Sequence, residues 1–136
     1  MTYQHDTRTL LKTQQWVIRI TLSLMWCYQG LVPKVLYLDS TELALAGALG
    51  IQADMQQAFV QLSGMLELLW GLTFFAGFKH VWIHRLNLLG IVGLFALSVV
   101  FMPALLSAAF NPVVVNGGML VLGLLALEAK KVADNQ

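Results

Sequence analysis

Charge is scarce in this chain. Its 136 residues include 8 Lys or Arg and 7 Asp or Glu, a charged fraction of 11% against about 25% in an ordinary soluble domain. A water-soluble domain of this length would bury only about two-thirds of its extended surface, too little to hide a sequence that is 58% apolar. The net charge of +1 excludes the basic footprint of a nucleic-acid binder. The single cysteine, Cys27, excludes a disulfide scaffold, a zinc site built on paired cysteines, and dithiol chemistry within the chain. The glycines follow no strand, so a soluble phosphate-binding loop is excluded as well. With a mean hydropathy of +0.72, the solvent that fits this composition is lipid.

The charges are also unevenly placed. Residues 86 to 127 contain no Asp, Glu, Lys or Arg, and this run of 42 is too long for one span, since a bilayer core of about 30 Å takes roughly 20 helical residues. Asn111-Pro112 marks the turn inside it, with Asn as N-cap and Pro at the first helical position. The expected architecture is all-α: an integral membrane four-helix bundle, one transmembrane domain over residues 1–136, with spans at about 16–36, 57–78, 86–106 and 112–128. Arg8, Lys12, Arg19, Lys79, Arg85, Lys130 and Lys131 fall on one side of such a bundle and only Lys34 on the other. The positive-inside rule therefore puts both termini in the cytoplasm, with Trp16 and Trp82 at the inner interface. Ala44-Leu45-Ala46 lies too far beyond the first apolar stretch to serve as a signal-peptide cleavage site, so that helix is expected to be retained. In the outer loop, Asp39-Ser40-Thr41-Glu42 reads as a capping box and Gly50 as a left-handed terminator, which predicts a short interfacial helix between spans 1 and 2.

Within the spans, polar residues cost free energy and call for a reason. A mid-membrane carboxylate costs about 2.5 to 3.5 kcal/mol on insertion scales, and Glu67 stands near the middle of its helix, flanked at helical spacing by Gly64 and Gly71. These small neighbours place Glu67 against another helix, as internal glue or as a ligand or proton site. Arg19, Trp26 and Gly30 fall near one side of the first helix beside Gln29, which makes Arg19 one candidate partner for Glu67, snorkelling to the inner headgroups being the alternative. Lys34, after the helix-kinking Pro33, has the same two readings at the outer surface. Asn116 is expected to hydrogen-bond between helices and Asn87 to meet headgroups. His80 and His84 share a helical face but have no third ligand, so an interfacial cap outweighs a metal site. Cys27 reads as apolar filler. The candidate binding cluster is thus Glu67, Gln29, Lys34, Arg19, Asn116 and Trp26, with no catalytic set and no metal site.

At these residues the chain resembles the DoxX-like family of small four-helix bacterial membrane proteins. The resemblance rests on Trp26 to Lys34, of which Gln29-Gly30-Leu31-Val32-Pro33-Lys34 is the most specific part. It extends through Glu42-Leu43-Ala44, Gly64 to Gly71 around Glu67, and Asn111-Pro112 with Asn116. It departs at Val115, where similar proteins often carry a basic residue. The wider group is named for a membrane subunit of a thiosulfate:quinone oxidoreductase. The resemblance therefore implies a multi-pass protein of the bacterial cytoplasmic (inner) membrane, and fold transfers along it better than function.

Three functions compete at this stage. The first is a membrane subunit that binds a quinone or similar lipophilic ligand in the outer half of the bundle through Gln29, Lys34 and Glu67, within a membrane redox system. The second is a noncatalytic scaffold for a partner membrane protein, and the third a small-solute or proton transporter that dimerises. Lipid is the expected surrounding, and a homo-oligomer or a partner membrane protein the expected associate.

Overall fold

The computed structural model describes residues 2–108 and 111–134, with side chains from Thr9 onward, and every regular element among them is helical. Helix α1 covers Thr2–Gly30, α2 Ser40–Ala48, α3 Ala53–Gly77, α4 Val81–Phe101 and α5 Pro112–Asp134. A π-helical segment, Leu31–Leu36, continues α1, and a 3-10 turn, Pro103–Ser107, follows α4. Three of the helices, α3, α4 and α5, are long and apolar enough to cross a membrane. Helix α1 falls short of that composition, because Arg19 and several Gln, Thr and Ser residues dilute its apolar content.

The boundaries differ from the sequence expectations for identifiable reasons. Helix α1 starts at Thr2, well before residue 16, since no glycine or proline precedes Gly30 and the polar stretch is made of adequate helix formers. Helix α4 begins at Val81 and stops at Phe101, five residues earlier at each end than expected. Pro103 forces Met102 out of the helical region, to φ −138° and ψ 63°, which breaks the helix before the apolar run ends. Helix α5 begins as expected: Asn111 Oδ1 accepts from the amide of Val114 at 2.8 Å, and Pro112 occupies the first position. Its far end outruns the apolar segment and carries a pair within the helix between Lys131 and Glu128 at 2.8 Å.

The short helix α2 is capped by Asp39, but the Oδ1 of Asp39 accepts from Thr41 at 2.8 Å rather than from Glu42. Neither reciprocal bond of the expected capping box forms, since Asp39 N donates to Pro33 O, and Glu42 is free to turn elsewhere. Gly50 terminates the segment at φ +85°, the left-handed geometry that a residue without Cβ adopts at least cost.

Packing follows the small residues. Helix α1 lies mainly against α3, and α4 against α5, while α1 also touches α5 and α2 rests on α3 and α4. The seam between α1 and α3 is made by Gly30, Gly64 and Gly71. A Cβ at Gly64 would stand 2.5 Å from the carbonyl oxygen of Gly30 and 2.6 Å from Lys34 Cβ, and one at Gly71 would stand 2.7 Å from Cys27 Sγ. The backbones are in contact, as expected of small-residue seams in lipid. Leu22, Trp26, Phe74, Ile83, Ile91 and Met119 fill the interior. Leucines and valines such as Leu24, Leu66, Leu89, Val100 and Val114 point outward, which gives the long helices an apolar exterior that water would not tolerate over such an area.

This packing makes Gly64 intolerant of any side chain. Gly64→Ala is expected to destabilise the protein by about 1 to 3 kcal/mol through overpacking, read as a lowered midpoint of denaturant unfolding in detergent. Gly93→Ala is the control, since a Cβ there meets nothing within 4 Å and should leave the midpoint unchanged or slightly raised. Equal effects at the two sites would contradict the seam.

Candidate functional site

The site begins with a proline. Pro33 has no N–H to give, and its ring would collide with the carbonyl one turn back in a regular helix. The chain widens there into π geometry: Tyr37 N donates to Val32 O, five residues back, at 3.1 Å, and Asp39 N donates to Pro33 O at 2.8 Å. The extra residue in the turn changes the direction of the side chains around it. Lys34, which a regular helix followed by a kink would have sent to the surface, is instead buried at 8% exposure.

Its Nζ donates to Glu67 Oε1 at 2.5 Å and stands 3.6 Å from Glu42 Oε2. One ammonium therefore serves two carboxylates from two other helices, and its three N–H groups are not exhausted by them. Glu67 is as buried as Lys34, at 8%, and its second oxygen, Oε2, is buried without a hydrogen-bond partner. That is an unusual state for a carboxylate, since an unsatisfied buried polar atom costs about 1 to 3 kcal/mol.

Glu67, Lys34 and Glu42 line a chamber of about 470 Å³ at the end of the protein that α2 covers. Every helix contributes to its walls: Gln29 from α1, Leu45 from α2, Glu67 from α3, Leu94, Leu97 and Ser98 from α4, and Pro112 and Asn116 from α5, with Asn111 just before it. The volume lies within the range of about 300 to 1,000 Å³ of small-molecule sites. Ser98 is satisfied locally, its hydroxyl donating to Leu94 O at 3.0 Å. Gln29 and Asn116 are not: among the described residues neither amide side chain has a hydrogen-bond partner, although Asn116 is only 6% exposed. The chamber thus presents two amides, a carboxylate oxygen and an ammonium whose bonding capacity the protein leaves unused.

Four of the six residues singled out from the sequence, Glu67, Gln29, Lys34 and Asn116, meet in this chamber, and two do not. Arg19 does not pair with Glu67. Its Nε donates to Phe75 O at 2.7 Å, and its guanidinium lies over the rings of Trp16 and Phe75, at 4.7 and 4.2 Å from their centroids. Phe75 is two turns along α3 from Glu67, about 12 Å at the helical rise, beyond the reach of a direct pair. Trp26 faces inward at a different level, where its Nε1 donates to Asn87 Oδ1 at 2.7 Å.

That bond belongs to a second polar centre that the sequence reading missed. Asn87 is fully buried and not at the headgroups. Its Oδ1 also accepts from Trp70 Nε1 at 3.4 Å, so one carbonyl joins α1, α3 and α4. His84 is fully buried too, with Nε2 2.8 Å from Phe78 O and its ring edge-to-face with Phe74 and Phe78. His80 is exposed and stacks on Trp82, so the two histidines do not form a joint cap. The signal was present in the spacing: His84, Asn87, Ile91 and Ser98 repeat at three, four and seven residues and share the inward stripe of α4.

Residues 23–124 match the sequence model of the DoxX-like family, a segment that contains the chamber and both polar centres. The chain belongs to the DoxX-like family. No curated protein and no solved structure matches it.

The Lys34 and Glu67 pair should behave as a coupled unit. Removing one partner of a buried pair leaves an uncompensated charge, whereas replacing both restores neutrality. Lys34→Met is expected to destabilise the protein by about 3 kcal/mol, and the double variant Lys34→Met with Glu67→Leu by clearly less than the sum of the single losses. Strict additivity in this double-mutant cycle, measured by unfolding in detergent, would contradict a direct pair.

Proposed function

We propose that this DoxX-like protein is a multi-pass protein of a bacterial cytoplasmic membrane. Helices α1, α3, α4 and α5 form a four-helix transmembrane bundle, α2 lies at the outer interface, and both termini are cytoplasmic. The basic residues support this orientation: Lys79 and Arg85 flank the connection between α3 and α4, and Lys130 and Lys131 close α5, whereas Lys34 is drawn into an ion pair at the opposite end. Trp16 and Trp82, both about half exposed, sit at the cytoplasmic level where indoles favour the interface.

Within that bundle the chamber binds a lipid-soluble ligand with a hydrogen-bonding head, and a quinone is the chemical type that fits. The observation that carries this reading is the buried, unpartnered Oε2 of Glu67, set beside the half-buried amide of Gln29 and the amide of Asn116 in a chamber of ligand size. Buried polar groups in stable proteins are nearly always satisfied. A set left open toward one shared volume therefore suits a partner that brings its own polar atoms. A quinone supplies two carbonyl oxygens as acceptors. The amides of Gln29 and Asn116 and the free N–H of Lys34 donate to such oxygens, while Glu67, bonded to Lys34 through Oε1, keeps Oε2 to accept or deliver a proton at the head. Leu94, Leu97 and Val115 provide the apolar wall for a ring.

The test is native mass spectrometry with lipid extraction on protein purified in mild detergent. Wild type is expected to carry a quinone or to take up added decylubiquinone. Glu67→Gln, which keeps the shape and removes the charge, is expected to weaken binding by about tenfold or more, the size of one charge-assisted hydrogen bond. A wild-type protein that carries no quinone and binds none would sink the reading.

A further inference from the structure

Gln29 and Val115 border two cavities. On one side they line the polar chamber, and on the other they close the end of a groove of about 630 Å³ that runs along α1 from Thr21 past Leu24 and Tyr28 to Val32. At the helical rise this stretch is about 16 Å long. Its walls are predominantly apolar, and Leu24 and Tyr28 are 63% and 65% exposed, so it opens on the outside of the protein, on a surface of the kind that faces lipid. Its origin is mechanical. Helices α1 and α5 are clasped near the other end by Gln15 Nε2 donating to Ala129 O at 3.1 Å, while α1 is held against α3 by the glycine seam on its opposite face. Toward the chamber the groove follows the remaining face of α1 and the π segment and meets α5 at Val115.

We propose that this groove is the lateral entry and the seat of the ligand's hydrocarbon tail, with Gln29 and Val115 as the sill between head and tail. The inference rests on the chamber's binding a polar head, and it adds the class of molecule: a single-tailed amphiphile that enters from the bilayer side. A head held among Glu67, Lys34 and Asn116 can send its tail past Gln29 and Val115 into a furrow that is already apolar and shares those two residues with the chamber. Burial of methylenes against its apolar walls favours that course over exposure to water. The groove then determines affinity through the tail, and the chamber determines which heads are accepted.

Two probes separate the parts: decylubiquinone and its tail-less parent, 2,3-dimethoxy-5-methyl-1,4-benzoquinone, each titrated against detergent-solubilised protein by quenching of tryptophan fluorescence. Thr21→Phe and the smaller Thr21→Leu fill the groove without touching the chamber, so either serves if the other folds poorly, as judged by its melting temperature. Wild type is expected to prefer the tailed quinone by about tenfold or more. The variants should cut that preference by about tenfold, with Thr21→Phe leaving tail-less binding within about twofold of wild type. Partition into micelles is the same for every variant and cancels in the comparison. An unchanged preference in both variants overturns the groove while leaving the chamber as a head site. Failure of wild type to bind either quinone overturns the head site and the groove together.

Discussion

Two opposite charges are tolerated in an apolar interior only when they reach each other, and here that requires α1 and α3 to meet at their backbones. The requirement is met at Gly30 and Gly64, where neither residue has a side chain to hold the helices apart. Any larger spacing would leave Lys34 and Glu67 separated by hydrocarbon, and each would cost several kcal/mol as an isolated ion. The glycine seam is therefore the condition for the ion pair, and the ion pair fixes the wall of the chamber opposite α5. The same seam occupies one face of α1, which leaves the furrow toward α5 on another.

Pro33 contributes the second condition. Proline inside a helix is usually a cost of about 3 kcal/mol. In this chain the cost is spread over a π-helical turn that keeps the backbone bonded while advancing Lys34 toward Glu67. It also delivers the chain to Asp39, whose cap starts α2 over the chamber. Glu42, released from the reciprocal half of the capping box, approaches the same lysine from above. A local departure from helical regularity thus connects the buried pair to the covering helix.

Much of this was legible in the sequence because it depends on near neighbours. The uninterrupted apolar run, the Asn111-Pro112 start of α5 and the Gly50 terminator of α2 are decided within one helical turn, and all appear where local chemistry puts them. The face shared by Gly64, Glu67 and Gly71 follows from helical spacing alone. What was not legible depends on register between helices. Whether Glu67 meets Arg19 or Lys34 is a matter of how far α1 slides along α3, and of a π turn that adds a residue to the count. A helix α4 that begins at residue 86 puts Asn87 at its end, as a headgroup contact. With five more residues before it, the same asparagine lies more than a turn inside the helix, at the level of Trp26 and Trp70. Boundary errors of a few residues are small for fold class and large for the depth of a polar side chain.

The two polar centres differ in a way that bears on what each is for. At Asn87 one carbonyl accepts from two indoles and ties three helices together, and the amide Nδ2 left over, though buried without a partner, lines neither cavity. At the chamber a lysine and two carboxylates are joined, but a carboxylate oxygen and two amides beside them are left over. A buried ion pair is weak evidence for stability, since apolar residues of the same volume usually serve as well or better. If holding helices together were the only requirement at the level of Glu67, the glycine seam and an Asn87-like bond would meet it at lower cost. Charge kept in an apolar interior, paired on one side and open on the other, is the arrangement expected where the polar atoms are needed for something that arrives from outside the fold.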